Sequence, residues 1–471
     1  MKITQLTEFG EKVLGLFDEY VARTNIKLDG MAVVRHYVTQ LNISESGFQC
    51  QWSSEITREP FWAVTISDFV EKTVRNLPEF QLLASNIAKR YKNNINEIVK
   101  GSNEAAQSKF WLEQFVTKLV LSKLDSTFSK DTLVECASLF LKELELSSVD
   151  HQFIYHLSGI FLESDSVIIN DTALIRKVQP KDLEYKTYVF ADIFGPTLGH
   201  MPSGHMPSAI LQISTFTRDE RAGRDCAEKI MNSLRLFKVG SVYPLESIYK
   251  KSSVIWPAAE QRSFGRTSYF NAESYTVKSQ DIDVFVKFTN SIMEKIITTG
   301  KEKGYPLFLS LERYTSALLD AIDTDRRLMT AVMGLEALYT LRKERGENAY
   351  KLGIRVAKML GKLNYDPLAV KSRVEKAYAL RNDVVHGAPI SIDDRKTMGE
   401  ILPHILNYLR VSLVIFLLGQ DIGKDRLVAL VNDSTVNDLQ DKELNSLVNK
   451  FAEEFKEVIL NPAKQETNRG V

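Results

Sequence analysis

A chain of 471 residues and 53.5 kDa is too long for one ordinary hydrophobic core, so two or three domains are expected. Its 60 lysines and arginines balance 60 aspartates and glutamates, which excludes a global polycation and confines any nucleic-acid site to a local patch. Hydrophobic content of 44% and charged content of 25% are those of a soluble globular protein.

In chain order, Gly47–Trp52 and Phe61–Ile66 alternate well enough to be strands of a short hairpin, set among amphipathic helices. Phe69–Arg90 returns apolar residues every three or four positions and reads as helix. Its basic tail, Lys89 to Asn94, is either a linker or a solvated helix face. Helices follow over Lys109–Leu124 and Thr132–Leu144. His151 and His156 fall near an aromatic helix, as packing residues.

The pattern then turns to strands: Ser166–Asn170, Lys186–Asp192 and Ser208–Ser214, the last two separated by the turn-rich loop Gly195–Pro207. That loop carries His200 and His205, which read as a β-connection or, less directly, as two metal ligands lacking a third. A helix over Ala222–Leu236 precedes further strand-like sequence through Tyr275. From Ile282 to Leu460 the chain reads as all helical. Leu318, Ile322, Met329, Val332 and Tyr339 form one stripe of a long helix; Ala349–Leu363, Val370–Val385 and Ile401–Leu418 are further helices, with His404 after Pro403 at the start of the last. The apolar run Val411–Leu418 is shorter than the ~20 residues a membrane span needs and reads as a buried core helix.

The expected fold is therefore α+β and predominantly α. Its divisions are an N-terminal mixed region (1–108), an α+β middle domain (109–281), a helical bundle (282–460) and a frayed tail (461–471). Cys50, Cys136 and Cys226 are widely spaced with no CxxC pair, so neither a disulfide framework nor a cysteine zinc site is indicated, and a reducing cytoplasm fits. The start of the chain lacks a signal-peptide pattern, and no membrane segment is read. Phosphate loops of the GxxxxGK[ST] or GxGxxG type are absent, as are GxSxG and HExxH, which disfavours nucleotide motors, dinucleotide enzymes, serine hydrolases and zincins.

The chemistry-bearing segment is Tyr378–Pro389, with Arg381 and His386 five positions apart. In a continuous helix that spacing points the two side chains ~140° apart. Gly387 and Pro389 supply a helix stop, so Arg381 should project from the last turns while His386 curls back at the cap. Between Leu341 and Arg381 the sequence counts eleven cations against four anions, a locally positive run in a chain of zero formal charge. It is either a set of solvated helix faces or part of a polyanion site. Lys351, Arg355, Lys358 and Lys376 are the candidate RNA contacts. Glu336 shares the apolar stripe and needs a partner, either Arg381 or Arg355.

Arg381-Asn382-x-x-x-His386 resembles the R-x4-6-H signature of HEPN domains, in which a polar residue commonly follows the arginine. Three blocks in order are similar to the Apea-like HEPN subgroup: Met333–Tyr339, Lys351–Gly361 and Ala379–Gly387. The resemblance is strong across Leu311 to Gly419, looser upstream through Ala173–Val178 and Leu234–Gly240, and absent before Ser108. It implies a helical bundle that dimerises and acts as a metal-independent ribonuclease without a cofactor, in antiviral defence or as a toxin. It makes Arg381 and His386 the catalytic pair and Asn382 the polar helper. Apart from the resemblance, Glu336 and Asp383 are read as supporting residues. The alternatives are a bundle that binds RNA or a nucleotide without cutting, or a dimerisation scaffold.

Overall fold

The computed structural model describes residues 2–24, 31–44, 47–59, 62–93, 103–124, 128–146, 148–183, 185–189, 207–255, 259–264, 274–296, 305–319, 323–341, 344, 346–434 and 437–459. The N-terminal part comprises α1 (Ile3–Thr24), the hairpin β1 (Met31–Ser44) and β2 (Gly47–Glu59), then α2 (Trp62–Lys72), α3 (Pro78–Arg90), α4 (Glu104–Leu124) and α5 (Lys130–Leu146). Gly47–Trp52 is a strand as expected, but Trp62–Ile66 is not, and Phe61 lies outside the described residues. Helix α2 starts at Trp62, because Ile66, Phe69, Val70 and Val74 recur at helical spacing and bury one face. Phe69 meets Phe17 of α1 edge-on at 5.1 Å. Lys89 and Arg90 are exposed on the last turn of α3, the solvated-face reading of that basic tail.

Trp111, Phe115 and Phe140 complete this first core, which runs through α5. The division expected at 108/109 falls inside α4, where Ser108 is buried. Val149, Val254 and Ile255 belong to the same core. The join is made by Glu143, a fully buried carboxylate that accepts from Ser253 Oγ (2.9 Å), Val254 N (2.9 Å) and Ile255 N (3.1 Å).

The middle of the chain adds β3 (Val149–Ser158), β4 (Ile160–Leu162), β5 (Ser166–Asn170), β6 (Ala173–Lys177), β7 (Tyr185–Val189), β8 (Ala209–Thr217), α6 (Arg221–Phe237), β9 (Tyr243–Ser252), β10 (Ala259–Phe264) and β11 (Tyr275–Val277). Six strands form an antiparallel sheet in the order β10-β9-β3-β8-β6-β5, while β7 pairs with β1 and β11 runs parallel to β4. His151 and His156, expected beside a helix, lie instead on the internal strand β3. Their segment alternates buried and half-buried positions, a two-residue period that the histidines mask when read as polar breaks. His151 Nε2 donates to Thr217 O (3.1 Å), which leaves Nδ1 to accept from the Tyr249 hydroxyl (2.9 Å). Burial holds its pKa below the ordinary value. His156 Nδ1 lies 3.0 Å from Glu246 Oε2. The loop carrying His200 and His205 lies outside the described residues, as does the tail 461–471.

Helix α6 covers the sheet face that bears Phe153. Their approach demands Gly223, since a Cβ there would meet the Phe153 ring at 2.1 Å. Its C-terminus points into the protein interior, where its last four carbonyls lack helical partners. Each finds a side-chain donor: Tyr275 OH to Leu234 O (2.8 Å), Tyr314 OH to Arg235 O (3.0 Å), and Arg410 Nη1 to Leu236 O (2.9 Å) and Phe237 O (3.1 Å).

The C-terminal part is helical among its described residues: α7 (Ile282–Lys295), α8 (Tyr305–Leu319), α9 (Thr324–Tyr339), α10 (Asn348–Gly361), α11 (Pro367–Val385), α12 (Ile392–Leu418), α13 (Lys424–Asp433) and α14 (Asp438–Ile459). The stripe from Leu318 to Tyr339 is divided between α8 and α9, which pack against each other, and Asp323 is extended at the start of α9. Ile322 lies outside the described residues. Helix α12 begins nine residues before the expected Ile401 (401 minus 392), because Ser391 caps it by accepting from Asp394 N (3.0 Å). The helix continues through Pro403, so His404 is internal to it and sits against Tyr408. α12 is the one described helix long and apolar enough to cross a membrane, and it is mostly buried in the bundle. The sheet and the bundle share a single continuous apolar core. The chain is α+β and predominantly α.

Because Arg410 is buried and serves two carbonyls, Arg410→Met should destabilise the folded chain by about 2–4 kcal/mol. In urea unfolding, the sheet and bundle should lose structure in one shifted transition. Loss of the bundle alone, with the sheet's transition unmoved, would contradict a shared core.

Candidate active site

Helix α11 begins at Asp366, which accepts from Leu368 N (3.0 Å), followed by Pro367 at the first helical position. It ends as the Gly387 signal predicts. Gly387 takes φ +70°, its N–H bonds Val384 O (3.1 Å), and Ala388 N bonds Asp383 O (2.9 Å). That pair of bonds is a Schellman motif.

The stop, however, falls after His386 rather than before it. His386 keeps near-helical angles (φ −84°, ψ 3°) and its N–H bonds Asn382 O at 2.9 Å. The histidine therefore does not curl back towards Arg381. Arg381 is half-buried and His386 is exposed, and no hydrogen bond or ion pair joins them among the described residues.

Arg381 is held by three neighbours. Nη1 donates to Asn382 Oδ1 (2.9 Å), Nη2 lies 3.4 Å from Glu336 Oε2, and the guanidinium sits over the Tyr378 ring at 5.6 Å. Its Nε is buried without a partner among the described residues. The Glu336 partner is thus Arg381 and not Arg355. Glu336 is presented by α9, which approaches α12 closely at Gly334, where a Cβ would meet Leu409 at 2.7 Å. Burial, with Glu336 beside it, raises the Tyr378 phenol above its ordinary pKa. Asp383 is exposed on the solvent side of the same turn.

Of the four cations expected to meet RNA, the fold brings only part to the surface. Arg355 is buried: it donates to Tyr339 O (2.8 Å) and Asn432 Oδ1 (2.8 Å) and forms a two-pronged ion pair with Glu344. Lys358 donates to Val431 O (3.1 Å), and burial lowers its pKa. Lys351 bonds Gly346 O (3.1 Å). Lys376 alone of the four is exposed. Elsewhere in the positive run, Lys362 pairs with Asp441 (2.6 Å) and Lys371 with Glu375 (2.9 Å). Arg342, Lys343 and Arg345 lie outside the described residues. Sequence counting overstated the surplus because Glu336 and Asp441 neutralise it from outside the counted window.

Beside Arg381 lies an open cleft of about 700 Å³ lined by Glu347, Asn348, Ala349, Tyr350, Tyr378 and Asn382. Tyr378 and Asn382 share a helix face at four-residue spacing, a legible signal. Glu347 to Tyr350 carry none, since only the fold brings the start of α10 to that face.

No protein-family model, no curated protein and no solved structure matches this chain.

The Arg355–Glu344 pair makes a pH dependence. Hydrogen bonding from Arg355 holds the Glu344 carboxyl below its ordinary value of 4.5. A depressed folded-state pKa stabilises above the unfolded value and is lost as pH falls through the folded one. Glu344→Gln should therefore lower Tm at neutral pH and flatten the loss of Tm below pH 4.5, measured by thermal melts across pH.

Proposed function

We propose that this chain is a metal-independent endoribonuclease of HEPN type that uses Arg381 and His386. The observation that supports it is the contrast between the two side chains: a guanidinium positioned by Glu336, Asn382 and Tyr378, and an exposed imidazole one turn on at a capped helix end. A fixed cation that can stabilise charge on phosphoryl oxygens and an accessible group that can move a proton are the two functions that in-line transfer at phosphorus uses.

In this mechanism the 2′-oxygen of ribose forms a bond to the adjacent phosphorus while the P–O5′ bond breaks. One group removes the 2′-hydroxyl proton and another donates a proton to the leaving 5′-oxygen, giving a 2′,3′-cyclic phosphate and a 5′-hydroxyl. His386 moves a proton, Arg381 stabilises charge on the phosphoryl oxygens, and Asn382 orients Arg381. Since the helix continues past Arg381, the two side chains of one chain diverge, and a two-fold dimer supplies the second histidine across the cleft. Val385, adjacent to His386 in the chain, and Ile392, at the start of α12, are 50% and 87% exposed and offer apolar surface to that second copy. The setting we infer is cytoplasmic, in antiviral defence or as a toxin, with the upstream part sensing a trigger or restraining the nuclease.

A second reading, a scaffold that does not cut RNA, is favoured by the use of Arg355 and Lys358 in bonds within the fold, to Glu344 and to Val431 O; a bundle that binds RNA without cutting it is the remaining alternative.

Labelled RNA incubated with the protein in EDTA separates the readings. Cleavage should fall by about 100-fold or more in both His386→Ala and Arg381→Ala, the range of general acid–base and charge stabilisation. Binding with no fragments selects the module, neither selects the scaffold, and fragments that persist in both variants sink the catalytic assignment.

A further inference from the structure

The cleft beside Arg381 has a chemistry that phosphate binding does not explain. Tyr350 is 53% exposed at its mouth, and Lys371 Nζ stands over the ring at 5.1 Å. Lys371 is itself paired with Glu375, so a positioned cation covers one face of the ring while about half of the side chain remains exposed. That is a stacking platform at little cost in lost side-chain freedom.

The polar groups around it are oriented. A guanidinium only donates, so the Asn382 amide must turn its oxygen to Arg381, and among the described residues its NH₂ has no acceptor. Asn348 reaches the Tyr378 phenol. Glu347, at the first position outside α10, has φ +51°, a left-handed conformation rare for a glutamate. It puts a carboxylate acceptor on the cleft wall, and no described side chain pairs with it. A carboxylate repels phosphate but accepts base N–H groups. Donor, acceptor and aromatic face together match the edge and the face of a base.

We infer that this cleft is a nucleobase pocket for single-stranded RNA. The base stacks on Tyr350, Glu347 accepts from its N–H groups and the Asn382 amide donates to its carbonyl or ring nitrogen. The inference rests on the nuclease reading only for its consequence, that a base seated here sets which phosphodiester reaches Arg381.

The test uses the full chain and fluorescently labelled hexanucleotides of A, C, G or U with 2′-fluoro ribose, which have no 2′-hydroxyl to react. Wild type should prefer one base. Tyr350→Ala should weaken that preferred hexamer by about tenfold and level the four affinities, while Tyr350→Phe retains them. Glu347→Gln should change which base is preferred. Equal binding of all four by wild type, or unchanged binding by Tyr350→Ala, overturns the pocket. Ordinary RNA separates the two ideas. Base-selective binding without cutting leaves the pocket standing and removes the nuclease, whereas cutting with a base profile indifferent to Tyr350→Ala removes only the pocket.

Discussion

The buried end of α6 is the constraint on which the rest of the chain depends. A helix terminus normally faces water because its last carbonyls need donors, and each one left dry costs roughly 1–3 kcal/mol. Here Tyr275, Tyr314 and Arg410 arrive from three separate elements to supply those donors. The three side chains must be in place together, so the sheet cannot dock loosely on the bundle. Arg410 also fixes α12, and its neighbour Leu409 meets Gly334 of α9, two residues before Glu336. The carboxylate that pairs with Arg381 thus sits on a helix packed closely against α12, the helix that Arg410 ties to the buried end of α6.

The N-terminal core is attached by a different device. Glu143 buries a carboxylate among backbone N–H groups of Val254 and Ile255 and the Ser253 hydroxyl, and burial raises its pKa. Backbone donors around a buried acid recover part of the desolvation cost and specify one geometry, since no apolar residue reproduces three converging bonds. The polar interior is thus used for registration between layers, while the apolar residues supply the driving force.

Strong local signals were legible in the sequence. Ser166–Asn170 is a strand as its β-branched run implied, and the Gly387 cap is where glycine and Pro389 place it. The failures have physical causes. Phe61–Ile66 alternates over a few residues but continues at helical spacing through Val74, so a short window misreads its period. His151 and His156 conceal strand β3, because their partners Tyr249, Thr217 and Glu246 lie far along the chain. The helix stop was placed correctly, yet its effect on His386 was not, since a Schellman turn redirects the chain only after the cap residue. The cleft was illegible for the same reason as the Glu143 join: distant segments build it.

The positive run shows what a linear count of charge leaves out. Arg355 stands among the residues that order α9, α10 and α13, because its planar fork satisfies a carboxylate, an amide and a carbonyl at once. Cations spent in this way contribute little long-range attraction to a polyanion. On the nuclease reading, and among the described residues, Lys376 is the exposed member of the set expected to meet RNA. A substrate would then be held less by summed phosphate contacts than by a short-range fit at one or two nucleotides. Such a site has a shallow salt dependence and strong demands on local RNA structure, because an unpaired base must be free to leave its stack. On the same reading, the contacts of Arg381 with Glu336, Asn382 and Tyr378 would hold its guanidinium in place before a substrate arrives, which is what stabilisation of charge at phosphorus would need.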